Sequence, residues 1–345
     1  MAKHTMRDVA RLAGVSVATV SAVINGTATV SERRTLKVRE AMQALDYHPD
    51  NIARSLKVGR TRVIGMVIPD ITNAFFPEVV RGVEEAARAE GYSVILCNSN
   101  EDPEQERQHL STLFSQRVDG VLIACSDAFT AYDSLLRRRF PVVFVDRIPQ
   151  GLTCDGVATD NVEASYRATR YLIELGHRQI AFIAGELRLS PHAGRLDGFR
   201  NAMQESNLAI RDEYLRMGDL CIQRGYEAGM AMLRLSTPPT AIITSNNRML
   251  LGLMRCIAER NVGCPAEVSV IGFDDYVWTE HFTPRLTVVA QPTHEIGQRA
   301  MALLLKKIHA GEAPTEEHEP LVLLKAEFRV RESTGPVRRP VLSPA

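Results

Sequence analysis

Residues 8–21 of this 345-residue chain read DVARLAGVSVATVS, a pattern that predicts two short helices joined by a tight turn. Gly14 permits the turn, and the Ser16 side chain can cap the start of the second helix. Ala10 is small where the two helices must approach each other, and Val20 can fill the space between them. The pattern is typical of a helix-turn-helix, whose second helix can enter a DNA major groove, although a generic helix pair has the same apolar spacing.

The first 62 residues carry an excess of positive charge. They hold eleven Lys and Arg against five Asp and Glu, which leaves +6 there and −6 on the rest of a chain of zero net charge. A third helix is predicted over 32–45, and another over 51–58 that is too short to be stable alone in water. A basic head on an acidic body is expected where one segment meets phosphate, although basic patches are also common on solvated surfaces.

From residue 63 onward, short apolar segments alternate with helical patterns. Strands are predicted over 63–68, 93–97, 120–125, 142–145, 180–184, 241–244, 268–273, 286–290 and 321–331. Helices are predicted over 76–90, 103–116, 135–139, 162–175, 195–205, 224–235, 249–260 and 295–309. Apolar strands between helices indicate parallel sheets covered on both faces, and this many strands predict two doubly wound α/β lobes.

Several function classes are disfavoured by what the sequence lacks. No stretch approaches the ~20 apolar residues of a membrane helix, and no signal-peptide pattern occurs, so we expect a cytoplasmic protein. The missing signal peptide and the basic head also oppose a transport binding protein. No nucleophile-elbow, phosphate-loop or dinucleotide motif appears, so we expect no enzyme activity, cofactor or metal. The six cysteines form no CxxC pair and are expected to be buried free thiols rather than disulfide or zinc ligands.

Longer runs of residues carry a resemblance to a known family. These runs are Asp8-Val9-Ala10, Ala13-Gly14-Val15-Ser16, Thr19-Val20-Ser21, Val23-Ile24-Asn25, Val30-Ser31, Leu45-Asp46-Tyr47-His48-Pro49 and Ala53-Arg54-Ser55-Leu56. Through them, residues 5–62 resemble the head of the lactose-repressor (LacI) family of bacterial transcription regulators. The resemblance continues through nearly the whole chain.

The resemblance implies an α/β protein with an N-terminal all-α helix-turn-helix head, a hinge helix and a periplasmic-binding-protein-like core of two lobes. The implied boundaries are 1–50 for the head, 51–61 for the hinge, 62–332 for the core and 333–345 for a disordered tail. Within the core, the N-lobe is expected to comprise 62–160 and 291–320, and the C-lobe 161–290 and 321–332. A homodimer on a palindromic operator, controlled by a small ligand, is implied, and the ligand could either release or promote DNA binding.

Residue roles in the head follow from the same resemblance. Positions that hold the sugar–phosphate backbone are matched by Thr5, Ser16, Thr19, Ser21, Asn25 and Ser31, and Thr29 is placed with the DNA-binding residues. The base-reading positions are matched by Val17, Ala18 and Ala22, which are all apolar and can offer only methyl contacts to thymine. Leu56, with Lys57 beside it, matches a wedge inserted into the minor groove; packing against its dimer mate is the alternative.

The resemblance also places a small-molecule effector in the cleft between the lobes, at the carboxyl ends of the strands. Matching ligand-contact positions are held by Asn73, Phe75, Asp146, Arg195, Asn246, Asp274 and Gln291. Arg195 is expected to fork onto hydroxyls or a carboxylate, and Asp274 to accept from hydroxyls. Polar residues at strand ends also cap helices, so each position taken alone has a purely structural alternative.

Some positions depart from the family pattern. Asn247 stands where the family often has an acid, and Leu220 and Pro191 stand where some relatives place an aromatic side chain and a hydroxyl. Pro191 and Leu189 argue against a purine-type contact set, so we expect a sugar or a sugar derivative, with a purine as the alternative. The side chains of His192, Trp278 and Phe282 are further candidates for shaping the pocket, with ordinary packing as the alternative for Trp278.

Overall fold

The computed structural model describes residues 4–25, 28–47, 60–127, 132, 140–310 and 321–337. The chain divides into two compact units, Met1–Thr61 and Arg62–Ala345. Four predicted features lie outside the described residues. They are the hinge helix over 51–58, the side chains of Leu56 and Lys57 expected in the minor groove, the helix over 135–139 and the end of the tail, 338–345.

The described residues of the first unit form three helices, α1 (Met6–Ala13), α2 (Val17–Asn25) and α3 (Glu32–Ala44). The amide and hydroxyl of Thr5 both donate to Asp8 Oδ2, at 2.9 and 2.7 Å, which holds the start of α1. Gly14 ends α1 with φ +63°, a left-handed conformation that glycine adopts without strain. One small apolar core joins the three helices and consists of Val9, Ala10, Ala13, Val20, Val38 and Ala41. The predicted helix-turn-helix is therefore present.

The second unit contains two six-stranded sheets, one in each lobe. The N-lobe strands are β1 (Val63–Ile68), β2 (Ser93–Asn98), β3 (Gly120–Ile123), β4 (Val142–Val145), β5 (Gly156–Thr159) and β11 (Val322–Leu324), in the order β11-β5-β4-β3-β1-β2. The C-lobe strands are β6 (Ile180–Ala184), β7 (Leu215–Met217), β8 (Ala241–Thr244), β9 (Ser269–Phe273), β10 (Thr287–Ala290) and β12 (Glu327–Arg329), in the order β12-β10-β9-β8-β6-β7. All neighbouring strands are parallel except β10 and β12. Parallel sheets of this kind place every strand's carboxyl end at one edge.

Helices cover both faces of each sheet. The N-lobe carries α4 (Phe75–Ala89), α5 (Pro103–Ser115) and α11 (Thr293–Ala310), and the C-lobe carries α6 (Asn161–Glu174), α7 (Ser190–Glu205), α8 (Ile222–Met232) and α9 (Asn247–Glu259), with a short α10 (Val277–His281). Each lobe has two apolar cores, one on each side of its sheet. The inner strands of each sheet are buried almost throughout, which explains why they appear in the sequence as continuous apolar runs, whereas the edge strands β2, β7, β11 and β12 are partly exposed.

Close helix contacts need residues without a side chain. A Cβ built on Gly198 of α7 would lie 2.1 Å from the Val162 carbonyl oxygen of α6, and one on Gly252 of α9 would lie 2.0 Å from the Ile222 oxygen of α8. Real Cβ atoms do not approach a carbonyl oxygen so closely. Both helix pairs therefore depend on glycine at these positions to pack at their observed separation.

The prediction of one C-lobe strand over 321–331 is wrong in part. Val322–Leu324 pairs with β5 of the N-lobe, whereas Glu327–Arg329 pairs with β10 of the C-lobe. Residues 322–324 therefore belong to the N-lobe sheet, and the chain passes between the lobes after them. The apolar Val-Leu-Leu and the charged Glu-Phe-Arg are both too short for the sequence to show which sheet each one joins, and the pairing follows the sheet edge beside each strand. Strands β5 and β7 and helix α10 were not predicted, and α7 begins five residues earlier than expected.

The expectation of a disordered tail from residue 333 is also wrong for its first part. Ser333 is fully buried, its hydroxyl donates to the Val270 oxygen at 2.7 Å, and it accepts from the Thr287 amide at 2.8 Å. The Val337 amide donates to the Leu175 oxygen at 3.1 Å. Residues 333–337 are thus part of the C-lobe, because their backbone and hydroxyl groups find partners on elements that are distant in sequence.

Candidate ligand cleft and nucleic-acid interface

A polar cleft lies between the two lobes, at the carboxyl ends of their strands. Its volume is about 460 Å³, including the part open to solvent. The seven positions expected to contact an effector all line it: Asn73, Phe75, Asp146, Arg195, Asn246, Asp274 and Gln291. The other lining residues are Asp70, Phe76, Glu101, Arg147, Pro191, His192, Leu220 and Arg248.

Asp146 follows β4 and presents a buried carboxylate to the cleft. Its backbone is left-handed, with φ +62°, which turns the chain where the strand ends. Only 6% of the residue is exposed, and its Oδ1 atom has no hydrogen-bond partner among the described residues. Burial raises the pKa of Asp146 to about 6, although the charges of Arg195 and Arg147 act in the opposite direction. The carboxylate thus has an unused acceptor.

Asp274, which follows β9, is already hydrogen-bonded by two side-chain amides. Its Oδ1 accepts from Gln291 Nε2 at 2.6 Å, and its Oδ2 accepts from Asn247 Nδ2 at 2.8 Å. Asn247 Nδ2 also lies 3.0 Å from Asn73 Oδ1 of the other lobe. An acid at 247 would face the Asp274 carboxylate with a second negative charge and no donor, so the departure to asparagine removes a repulsion.

Arg195 is held in one orientation by the C-lobe. Its Nε donates to Asn161 Oδ1 at 2.7 Å, and its Nη1 donates to the Ser245 oxygen at 2.6 Å. The guanidinium carbon lies 4.2 Å from the centroid of the Phe273 ring, close enough for a cation–π contact. Within the described residues, Nη2 takes part in no hydrogen bond, so this arm of the fork is available to a ligand.

His192 contributes a neutral imidazole to the wall. The Gly185 amide donates to Ser245 Oγ at 2.8 Å, and that hydroxyl lies 3.3 Å from His192 Nδ1. Burial, with the charges of Arg195 and Arg147, holds the pKa of His192 well below its usual value. The Ser245 hydroxyl can then donate to an unprotonated Nδ1, since it already accepts from a backbone amide.

A second arginine of the cleft is neutralised within the N-lobe. Arg147 makes a bidentate ion pair with Glu101, at 2.6 and 2.8 Å, and donates to the Cys125 oxygen at 3.2 Å. Its side chain is almost completely buried and lies 5.6 Å from the centroid of the Phe76 ring. Arg147 and Asp70 were not predicted to line the cleft, but both follow the ends of parallel strands, as Asp146 does, and that position is a signal that could have found them.

Side-chain contacts also join the two lobes across the cleft. Arg248 of α9 reaches the N-lobe, where Nη2 lies 2.6 Å from Asp70 Oδ2 and donates to Thr72 Oγ1 at 2.6 Å. Arg188 of the C-lobe lies 3.3 Å from Asp127 Oδ1 and donates to the Ser126 oxygen at 3.1 Å. The lobes are thus held together by ion pairs as well as by the Asn247–Asn73 hydrogen bond.

Trp278 and Phe282 do not line the cleft. Their rings meet edge to face at 5.8 Å and pack against the α8–α9 side of the C-lobe core. The ordinary-packing alternative for Trp278 is therefore correct, and Phe282 shares it. His192, Pro191 and Leu220 do line the cleft. Pro191 and Leu220 therefore stand where they can affect which effector binds, as the preference for a sugar over a purine requires.

The first unit presents the start of α2 to solvent. Ser16 Oγ accepts from the Thr19 amide at 3.1 Å and so caps the helix, and the side chains of Ser16, Val17 and Ala18 are exposed. Val20, on the opposite face, is fully buried in the core of the unit. The remaining described DNA-contact candidates are exposed (Thr5, Thr29, Ser31) or half-buried (Thr19, Ser21, Ala22), and Asn25 ends α2. Further exposed basic side chains of the first unit are those of Arg7, Arg11, Arg33, Arg34, Lys37 and Arg39.

Within the described part of the chain, no helix has both the length and the apolar character needed to cross a membrane. No group of three or more His, Cys, Asp and Glu side chains in the described ranges is arranged to hold a metal ion. The six cysteines are free thiols, of which Cys125 and Cys256 are buried.

The fold and these two surfaces define a class of protein: a transcription regulator with a helix-turn-helix head and a two-lobed ligand-binding core. Residues 61–327 match the family described as "Periplasmic binding proteins and sugar binding domain of LacI family". Residues 5–50 match "Bacterial regulatory proteins, lacI family". The chain therefore belongs to the lacI family of bacterial regulatory proteins, and the resemblance found in the sequence is confirmed.

Three known proteins illustrate this similarity. The ribose operon repressor of Escherichia coli strain K12 is 39% identical over 321 residues, which cover 92% of this chain and 96% of that protein. The HTH-type transcriptional repressor PurR of Vibrio campbellii is 38% identical over 330 residues, or 95% and 97% of the two chains. The crystal structure of the lac repressor dimer bound to operator and the anti-inducer ONPF has a TM-score of 0.86 at 27% identity, covering 97% of this chain and all of that one. These relatives are transcriptional repressors.

Proposed function

We propose that this protein is a transcriptional repressor that binds a palindromic operator as a homodimer, and that a sugar-like effector in the cleft sets its operator affinity. The observation that carries the proposal is the exposed, capped start of α2 on a basic unit, in the same chain as a polar cleft. The protein acts by binding rather than by catalysis, and it acts in the cytoplasm, where bacterial DNA is found.

The chemistry of the α2 surface determines what it can recognise. Hydroxyl groups of Ser16 and Thr19, with the amide groups at the start of the helix, suit phosphate oxygens and position the protein on the duplex. Val17 and Ala18 carry only methyl groups, which favour contact with the methyl of thymine over hydrogen bonding to guanine. Operator half-sites with thymine opposite these side chains are the expected targets.

The cleft suits a polyhydroxylated ligand. Arg195 Nη2 offers a donor, Asp146 Oδ1 offers an acceptor, and Phe75 and Phe76 give the N-lobe side an apolar surface for a sugar ring. Leu220 and Pro191 supply neither an aromatic ring for stacking nor a hydroxyl for hydrogen bonding. The name of the ribose operon repressor, a relative at 39% identity, favours the same class of ligand.

A purine is the second candidate effector. It is favoured by the 38% identity with a protein named PurR over nearly the whole of both chains. A purine would need several hydrogen-bond partners for its ring atoms, and the side chains of Pro191 and Leu220 in the cleft wall provide none, while Leu189 is buried and is not among the lining residues. A thermal-shift screen of the full-length protein with sugars and purines separates the two, because only a ligand of the native state raises its melting temperature.

Control of DNA binding follows from thermodynamic linkage. An effector that contacts both lobes stabilises the arrangement of the lobes in which it binds. If that arrangement differs in operator affinity, DNA must change effector affinity by the same factor. The proposal therefore requires that operator DNA shift the dissociation constant of the effector, whether the ligand releases the repressor or retains it.

The DNA-binding part can be tested with two matched variants. Operator sequences are selected from random duplex DNA with the full-length protein, and affinity is measured by fluorescence anisotropy. Ala18→Asp places a carboxylate at the exposed start of α2, where it would repel phosphate, and we expect at least a tenfold loss. Gln43→Asp makes the same charge change at an exposed position near the end of α3. Equal affinities of the two variants would contradict the role of α2.

A further inference from the structure

The charges that line the cleft leave a surplus of negative charge. Four carboxylates and three guanidinium groups line it: Asp70, Glu101, Asp146 and Asp274, with Arg147, Arg195 and Arg248. Two of the arginines form ion pairs with two of the carboxylates, Arg248 with Asp70 at 2.6 Å and Arg147 with Glu101 at 2.6 Å. The only other titratable lining group, His192, is neutral, because burial keeps its pKa well below the usual value. Two carboxylates therefore remain for one arginine.

That arginine has no spare positive charge for an anionic ligand. Asp146 and Asp274 are the two carboxylates whose charges stabilise the ionised form of Arg195, while burial opposes it. Tyr276 also faces this group, but burial, with the negative charge of Asp274, raises the pKa of its hydroxyl, which therefore stays protonated. A phosphate or carboxylate placed beside Arg195 would bring negative charge to a cleft that already carries an excess of it.

The hydrogen-bonding capacity of the two carboxylates differs. Both oxygens of Asp274 already accept from the amides of Gln291 and Asn247, at 2.6 and 2.8 Å. Asp146 Oδ1 is buried in the wall of the cleft and has no partner within the described ranges. A buried acceptor without a partner is costly, so a ligand gains affinity by bringing a donor to it. Hydroxyl groups can donate there, whereas an ionised phosphate or carboxylate group offers only acceptors.

On the basis of the proposed function, we propose that the effector is an uncharged, unphosphorylated polyol, one hydroxyl of which donates a hydrogen bond to Asp146 Oδ1. The cleft then discriminates against the phosphorylated and carboxylated forms of the same sugar. Discrimination arises from charge, since such a group adds negative charge to the cleft, and where it replaces the donating hydroxyl it also removes the proton for Asp146. The regulator would accordingly respond to the free sugar rather than to the product of its phosphorylation.

Isothermal titration calorimetry of the full-length protein tests this with matched pairs of ligands. Aldopentoses and aldohexoses are each compared with their terminal phosphates and with the corresponding aldonates. We expect at least one free sugar to bind, with a dissociation constant at least tenfold below those of its phosphate and its aldonate. A phosphate or aldonate that binds as tightly as its parent sugar, or more tightly, would overturn the inference and leave a sugar-derived effector in place. Binding of a purine without any sugar would instead overturn the proposed effector class, and the polyol with it.

Variants of the protein test the assigned atom. Asp146→Asn keeps the shape of the side chain but removes the charge, and we expect it to weaken binding of the free sugar at least tenfold and to reduce the discrimination against its phosphate. Asp212→Asn removes one negative charge from an exposed position outside the cleft and should change neither quantity. Unchanged affinity in a folded Asp146→Ala protein, which lacks the oxygen as well as the charge, would show that Oδ1 is not the acceptor. If that variant does not fold, the comparison of ligand pairs on the wild-type protein still decides the charge preference.

Discussion

Removing the Arg248 side chain should loosen the cleft. Arg248 belongs to α9 of the C-lobe, and its Nη2 atom lies 2.6 Å from Asp70 Oδ2 and 2.6 Å from Thr72 Oγ1 of the N-lobe. Burial raises the pKa of Asp70, but hydrogen bonds from Thr72 and the charge of Arg248 outweigh it, and the net pKa is lower than usual. The ionised pair therefore favours the arrangement in which the lobes are in contact.

The size of the effect follows from the exposure of the pair. The side chains are 32% and 18% exposed, so solvent screens the attraction in part. Exposed ion pairs stabilise a structure by about 0.2–1 kcal/mol, and hydrogen bonds to charged groups by about 1.5–3 kcal/mol. Because this pair is partly screened by solvent, we take about 1 kcal/mol as its contribution to the contact between the lobes. That corresponds to roughly a fivefold change in the ratio of closed to open lobes, and to a similar rise in the effector's dissociation constant.

Calorimetric titration of Arg248→Met with the effector measures this change. Arg255→Met is the matched control, because Arg255 lies on the same helix and its ion pair, with Glu259 at 2.8 Å, does not cross the cleft. The double variant Arg248→Met, Asp70→Asn should lose little more than Arg248→Met alone, since the two side chains share one interaction. Equal effects of the two arginine substitutions, or full additivity with Asp70→Asn, would refute a stabilising contact across the cleft.

Three further predictions concern the cleft, the C-terminal segment and the helix packing. Effector affinity should fall as the pH drops through about 6, because the pKa of Asp146 in the free cleft is about 6 and a hydrogen bond donated by the effector favours the ionised carboxylate. Calorimetric titrations at pH 7.5 and pH 5 measure this change. In the Asp146→Asn protein the affinity should depend less on pH. Truncation after residue 332 should lower the melting temperature well below that of a chain truncated after 337, because Ser333 is buried and hydrogen-bonded to β9 and β10; equal melting temperatures would contradict this. Gly198→Ala should lower the free energy of unfolding, measured with denaturant, by about 2 kcal/mol or more, because its Cβ would lie 2.1 Å from a backbone oxygen. An unchanged free energy of unfolding would show that the two helices can move apart without loss.

Local signals in the sequence were sufficient for the head and for most of the elements of the core. The turn at Gly14 and the cap at Ser16 depend on residues within four positions of each other, so they are visible without any tertiary information. Apolar strands alternating with helices predicted two parallel sheets, and all seven expected effector contacts line one cleft. The contacts themselves were implied by the resemblance to the family, and those that directly follow a parallel strand, such as Asp146 and Asp274, lie at the cleft because parallel strands present their carboxyl ends at the same edge.

Pairings between distant residues were decided only by the tertiary structure. Val322–Leu324 and Glu327–Arg329 are separated by only two residues, yet they join different sheets because each extends the edge that lies beside it. The Arg248–Asp70 pair links residues of different lobes, and the unused acceptor of Asp146 depends on which side chains surround it in the closed cleft. Local chemistry sets the conformation of a turn or a helix end. Partners far apart in the chain are chosen by packing, which no short stretch of sequence specifies.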